Sequence, residues 1–349
     1  MIKILEYTLD GLTEKFKTDY GKGTFHAKAL FREIFKKGNI SPLEADEFKK
    51  SSAFAAVLDK AIEISPGIIV KIQKEENLVK FVTRLNDGLI IESVIIPMAG
   101  YNTLCISSQA GCRMGCKFCE TGKNGLKRNL TVEEITGQLY NARHTLGHDI
   151  RNVVFMGMGE PFDNFDNLIQ AIKVINEQRG FDIALSHITI SSSGLINGIE
   201  KLASYNFPGI RLAISINAPN NEIRSFLMPV NRRIPMERLK QSLEKYPLKK
   251  KGTFLFEYIL IKGINDSDAN AIELADFIKP LPVRLNLIPL NPVKNIDFLP
   301  PSDKDIHRFG NILSQNGIFV INRWTRGRSV TAGCGQLGGV LNVQGQALK

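Results

Sequence analysis

From residue 100 onward the sequence alternates between two periods, and this alternation restricts the fold more than any other feature. Short runs with strand character fall at 102–107, 151–156, 187–191, 210–216, 254–261 and 284–289. Helical spacing follows them, near 131–147, 165–179, 195–206, 235–246, 268–279 and 303–316. A helix between two strands carries the chain back to the end where it started, so such strands run parallel. Six βα units therefore predict an α/β fold, a partial (βα)6 barrel whose chemistry lies at the C-terminal ends of its strands. The first barrel helix is the best marked. Thr131 and Glu134 make a T-x-x-E capping box, and Val132, Ile135, Leu139, Ala142 and Leu146 keep three-and-four spacing.

Two other segments precede the barrel domain, which is expected to span 99–349. Residues 1–65 read as a helical, Lys-rich accessory domain. Phe25, Ala29, Leu30, Phe31 and Ile34 form an apolar stripe there, with Lys28, Arg32, Lys36 and Lys37 off it. Such a face is either merely solvated or touches phosphates. Residues 66–98 switch to strand period, and "VKFVTRLNDGLIIESVIIP" holds an Asn-Asp-Gly turn between two β-rich runs, which predicts a β-hairpin extension. Glu92 breaks the pattern. Its alternation partners Ile90, Val94 and Ile96 are apolar, so a carboxylate stands on a face that should pack.

Composition narrows the setting. A formal charge of +10 suits a nucleic-acid partner but also occurs in Lys-rich proteins that bind none. No apolar run approaches the roughly 18 residues of a membrane span, and the start lacks a signal peptide's apolar stretch. A cytoplasmic protein with no membrane association is expected. Five cysteines, an odd number, argue against a disulfide framework and for metal or redox chemistry.

Three of those cysteines, Cys112, Cys116 and Cys119, read C-x3-C-x2-C directly after the first predicted barrel strand. A structural zinc site would need a fourth Cys or His nearby. Cys105 falls inside a strand, and His144 and His148 fall at the far end of a helix. Three thiolates can instead hold three irons of a [4Fe–4S] cube and leave the fourth iron open. That loop in that place is the signature of radical S-adenosylmethionine (SAM) enzymes. "FMGMGEP" at 155–161 closes the second strand, with Gly157 and Gly159 letting backbone approach a ligand closely and Glu160 an acceptor for the methionine ammonium.

Beyond these spacings, "CISSQAGCRMGCKFCETGKNGLKRNLTVEEITGQ", "VVFMGMGEP", "LMPVN", "NLIPLNP" and "CGQL" resemble the RlmN/Cfr family of radical-SAM methyltransferases. The likeness covers nearly the whole chain. It implies one [4Fe–4S] cluster, SAM, an RNA adenosine as substrate and a reducing electron donor such as flavodoxin, with a monomeric enzyme expected. It further implies methylation of C2 rather than C8 of an adenosine in 23S ribosomal RNA, with transfer RNA as a further substrate.

Adenine's sp2 carbons lack the nucleophilicity for polar methyl transfer, and the family uses SAM twice. By resemblance, one SAM methylates Cys334. A second is cleaved to a deoxyadenosyl radical that takes hydrogen from that methyl, and the carbon adds to the ring. Glu92 then matches the base that removes the ring proton, and Cys105 the thiol that releases the product by forming a disulfide with Cys334. Gly159 and Glu160 match the methionine-binding pair, and Ser191 matches a ribose contact. Asn291 matches another SAM contact. Ser215, Ile216 and Asn217 stand where the family has Ser-Leu-His, with Asn217 replacing the histidine.

The chain departs from the family near the end. The family's D-I-D-A-A-C-G-Q-L reads S-V-T-A-G-C-G-Q-L from Ser329 to Leu337, preceded by Arg328, while "TRG" at 325–327 resembles the C2-methylating branch. The alternative is a divergent radical-SAM enzyme of the same fold, acting on another RNA position or on a protein or small molecule.

Overall fold

The computed structural model describes residues 1–205, 207–293, 296–324, 327 and 329–339. Arg328 and the Thr325 and Arg326 of "TRG" lie outside the described residues. One ten-stranded sheet organises the chain: β1 (Ile68–Glu75), β2 (Leu78–Arg84), β3 (Ile90–Met98), β4 (Tyr101–Cys105), β5 (Ile150–Phe155), β6 (Ile188–Ser192), β7 (Arg211–Ser215), β8 (Phe254–Leu260), β9 (Val283–Pro289) and β10 (Phe319–Asn322). Spatial order follows chain order throughout. Strands β4 to β10 run parallel, and β1 to β4 pair antiparallel.

The six predicted barrel strands correspond to β4–β9, and helices follow each of them as expected. The Thr131 capping box is present, with both of its reciprocal hydrogen bonds formed. Two strands escaped the sequence reading. β10 is a four-residue parallel strand after Gly317, and β1 adds a third strand to the hairpin. The hairpin itself forms, but it continues the barrel sheet through β3–β4 pairing rather than standing apart, with Val94 opposite Cys105.

Helices Leu9–Tyr20, Thr24–Phe31, Asp46–Lys49 and Ser52–Ala61 build the N-terminal region. Its apolar stripe needs one correction. Ala29, Leu30, Phe31 and Ile34 are buried, whereas Phe25 is 62% exposed. The buried line runs through Ala27, Leu30, Phe31, Ile34 and Phe35, a spacing of three and four that Phe25 does not share. The basic residues beside it are largely paired within the protein. Arg32 meets Glu33 and Glu47 at 2.9 Å, Lys37 meets Glu33 at 2.8 Å and Lys36 meets Asp182 at 3.7 Å.

This region shares its core with the barrel. Thr136 Oγ1 donates to the Leu5 carbonyl at 2.8 Å and Tyr140 OH to that of Gly38 at 3.0 Å, while Phe35 packs edge-on against Phe181. Among the described residues no helix is long and apolar enough to cross a membrane.

Candidate active site

The loop bearing the three cysteines is fixed at both ends by backbone contacts. Gln109–Gly111 pairs with Leu126–Asn129 as a short antiparallel ribbon. Gly111 crosses Gly125 so closely that a Cβ would lie 1.9 Å from the Gly125 carbonyl oxygen, and its φ of +82° is one that side chains disfavour. Cys112 N donates to that same carbonyl, Cys119 N to the Cys116 carbonyl and Lys117 N to the Leu227 carbonyl. Cys112, Cys116 and Cys119 thus line a cavity of about 150 Å³ that is partly open to solvent. Burial pushes the Cys112 thiol up to about 12 and holds Cys116 well above its ordinary range, so without a bound cation these groups stay protonated.

Gly159, Glu160, Ser191, Ser215 and Asn217 line the same cavity. Gly157 lines it too, and both glycines also pack closely on protein backbone. A Cβ on Gly157 would lie 2.6 Å from the Ile106 carbonyl carbon, and one on Gly159 2.7 Å from Gln109 N. They let β5 lie against the chain leaving β4. Glu160 is buried, and its carboxylate accepts from Ser193 N at 2.7 Å and Phe162 N at 3.2 Å. Burial raises its proton affinity, against those hydrogen bonds.

Asn217 sits at φ +53°, its Oδ1 accepting from Ile259 N at 2.9 Å and its Nδ2 donating to Met228 Sδ. Ile216 is fully buried and does not line the cavity. Nor does Asn291, whose Nδ2 donates to the Cys334 carbonyl at 3.0 Å.

Sequence reasoning passed over two residues, one in the cavity lining and one buried outside it. Glu257, on β8, faces the cavity and accepts from Asn286 Nδ2 at 2.7 Å. Arg224 is fully buried and donates to the carbonyls of Ser193 (2.7 Å), Ile216 (3.1 Å) and Ser215 (3.2 Å) and to Asn231 Oδ1 (2.9 Å). It thus ties together the chain ends after β6 and β7 that carry the SAM-matching residues. Arg224→Met would strand those buried acceptors. Stability should fall by about 3 kcal/mol or more, read from urea unfolding, and SAM affinity should weaken with it.

Cys334 lines the same cavity, next to the end of the cysteine loop. Its loop is held by Gln336 Nε2 to the Pro292 carbonyl at 2.8 Å, Thr121 Oγ1 to the Leu337 carbonyl at 2.6 Å and Glu120 N to the Gly335 carbonyl at 2.7 Å. Cys105, at the end of β4, is buried. Burial pushes its thiol up to about 12, and Cys334 lies near enough to add to that. Glu92 is buried on β3, on the same sheet face as Cys105, and does not line the cavity. Lys80 Nζ lies 2.8 Å from Glu92 Oε2. At the two positions where the family pattern has aspartate, Ser329 is bonded through N and Oγ to Glu75, and Thr331 is bonded to Lys80.

Comparison with known proteins decides the family. The Radical SAM superfamily pattern matches residues 106–275. A protein of Protochlamydia amoebophila named a probable dual-specificity RNA methyltransferase RlmN is 41% identical over 97% of this chain and 94% of its own length. One of Dictyoglomus thermophilum with the same description is 40% identical over 97% of each chain. The chain belongs to the RlmN family. A crystal structure of a radical SAM methyltransferase from Sphaerobacter thermophilus superposes on this RlmN-family fold with a TM-score of 0.89, at 35% identity, over 97% of this chain and 99% of that one.

Radical-SAM RNA methyltransferases of the RlmN family use a [4Fe–4S] cluster and SAM, and the donor set here fits both. Among the described residues no group of three His, Cys, Asp or Glu side chains is arranged to hold a single metal ion. Three sulfur donors lining one cavity suit a cube, which spreads its thiolates over separate irons. The buried Glu160 carboxylate in the same lining suits an ammonium.

Proposed function

We propose that this RlmN-family chain methylates C2 of an adenosine in 23S ribosomal RNA, with transfer RNA as a further substrate, through a methylated Cys334. The supporting observation is that Cys334 shares a cavity with Cys112, Cys116, Cys119 and Glu160, and lies within electrostatic reach of Cys105. Cys112, Cys116 and Cys119 would hold the cluster. Gly159, Glu160, Ser191, Ser215 and Asn217 would bind SAM at the cavity wall, with Ile216 and Asn291 shaping its backbone. When bound, cluster and SAM supply the one-electron chemistry that removes a hydrogen atom from an unreactive C–H bond.

The rest falls to the chain's own side chains. Cys334 Sγ carries the methyl group and, once a hydrogen atom is gone, delivers its carbon to the ring. Glu92 accepts the ring proton as the ring returns an electron and regains aromaticity, leaving a thioether between Cys334 and the RNA. Cys105 gives up its proton, and its sulfur bonds to Cys334 Sγ. The S–C bond breaks with its electron pair going to carbon, which takes a proton to become methyl. Two sulfurs are oxidised to a disulfide and one carbon is reduced, so a thiol reductant must reset the pair. A low-potential donor such as flavodoxin would supply the cluster, and the enzyme would act as a monomer.

Mass spectrometry of ribosomal and transfer RNA from cells with and without the gene tests the reading. Loss of 2-methyladenosine on deletion is the expected result. An unchanged adenosine profile would overturn it.

RNA affinity should fall roughly a hundredfold between 50 and 200 mM salt, as about four phosphate contacts require. Lys28, exposed on the helix Thr24–Phe31, and Lys22, exposed in the connection before it, are candidates for two of them. Lys22→Glu with Lys28→Glu should lower the salt slope by about two, measured by filter binding. Deleting residues 1–65 would be a poor test, because it would uncover the shared core.

A further inference from the structure

Lys80 is fully buried on β2, and burying an ammonium is costly unless its protons find acceptors. Lys80 Nζ lies 2.8 Å from Glu92 Oε2, 3.1 Å from the Thr331 carbonyl oxygen and 3.3 Å from Thr331 Oγ1. Those acceptors match the three donors of an ammonium. One is on the neighbouring strand, and two are on the loop that carries Cys334.

The sheet register explains the meeting. Lys80 stands opposite Val94, which stands opposite Cys105, while Glu92 stands opposite Val82. Lys80, Val94 and Cys105 therefore form one lateral row, with Glu92 two residues along β3 on the same face. Thr331 lies three residues before Cys334 and is held at φ +49°, a region that β-branched residues rarely enter. The conformation persists where the surroundings fix it, and here the ammonium grips both the carbonyl and the hydroxyl.

A buried ion pair is a weak device for stability alone, because apolar residues often replace such pairs at no cost. Lys80 makes two of its hydrogen bonds across 251 residues of sequence. We propose that Lys80 is a positioning residue for product release: it joins the Glu92 carboxylate to the Thr331 turn and so sets the reach from proton acceptor to the carbon borne by Cys334. It acts through Glu92. The proposal rests on the roles given above to Glu92 and Cys334.

The test uses the full-length chain carrying Lys80→Met, Glu92→Gln or both. Peptide mass spectrometry reads the fraction of Cys334 bearing methyl or RNA, and urea unfolding reads the folded fraction. Single turnover with protein-free ribosomal RNA from cells lacking the gene reads release of methylated adenosine. Methylation of Cys334 needs no ring proton acceptor. In Lys80→Met, Cys334 should therefore be modified within about twofold of wild type per folded molecule. Release should slow roughly a hundredfold, the cost of an ångström-scale misplacement, and covalent RNA should accumulate. Lys80→Met added to Glu92→Gln should slow release no further than Glu92→Gln alone.

Release within threefold of wild type in Lys80→Met overturns the proposal. So does a parallel loss of Cys334 modification and release, since that marks a purely structural lysine. If Lys80→Met fails to fold, the double variant, which removes both charges, decides. Release equal to that of Glu92→Gln supports the proposal, and tenfold slower release overturns it. A wild-type chain that never carries methyl or RNA on Cys334 would instead remove the functional reading itself, an outcome none of the Lys80 variants can mimic.

Discussion

Protein carrying Cys105→Ala is expected to be purified with RNA covalently attached to Cys334. The buried Cys105 thiol lies within electrostatic reach of Cys334, and the proposed sequence needs it only at the last step. Its loss leaves methylation of Cys334, hydrogen removal and ring attack untouched, and the thioether then has no sulfur to displace it. The adduct should survive denaturant and reductant, because a C–S thioether does not undergo thiol exchange. Cys334→Ala should behave oppositely: nothing receives the methyl, and no adduct forms. Both variants should show turnover below detection, so the difference lies wholly in what the protein carries. Denaturing gels before and after nuclease, with peptide mass spectrometry of the Cys334 fragment, separate the cases. Normal turnover by Cys105→Ala, with Cys334 always unmodified, would mean another mechanism on the same fold.

Which parts of this site the sequence displays follows from where the information resides. The barrel strands are legible because β-branched runs alternate with helical spacing, a local signal. The cluster loop is legible because its cysteines are adjacent in sequence. Glu92 is visible as a break in an apolar alternation, and the structure buries it.

Lys80 stays hidden, although it touches Glu92. In "LVKFVTR" a lysine reads as a solvent-facing hairpin residue, and only the cover supplied by Thr331, far along the chain, buries it. Arg224 and Glu257 are hidden for the same reason, since their burial comes from tertiary closure and leaves no periodic trace. Phe25 misleads in the other direction. Its residue type suggests a core position, but the helix turns it away from the line that packs. Gly157 and Gly159 announce a close approach, and the structure gives them both a backbone neighbour after β4 and a place in the cavity lining.

Cys116→Ala should abolish both iron–sulfur cluster assembly and SAM cleavage while leaving the fold almost unchanged. The fold should survive because the loop is shaped by backbone contacts: Cys119 N on the Cys116 carbonyl, Lys117 N on that of Leu227 and the Gly111–Gly125 crossing. Losing one sulfur from a partly accessible position creates a small cavity, and the cost should be about 1 kcal/mol by urea unfolding. The cofactor has no such reserve. Among the described residues no further cysteine belongs to this loop, and Cys105 and Cys334 are placed for the release step. Two thiolates would leave two of the cube's four irons without a protein ligand.

Anaerobic reconstitution with iron and sulfide should give about four irons per wild-type chain and the broad visible charge-transfer absorption of a cluster. The Cys116→Ala chain should give neither, and reduced protein should release no 5′-deoxyadenosine. A variant that still assembles the cluster would show that the three thiols along this wall are not its ligands. Tight stoichiometric zinc in the wild type, with no cluster formed, would assign the same loop to a structural metal and separate this chain's chemistry from that of its family.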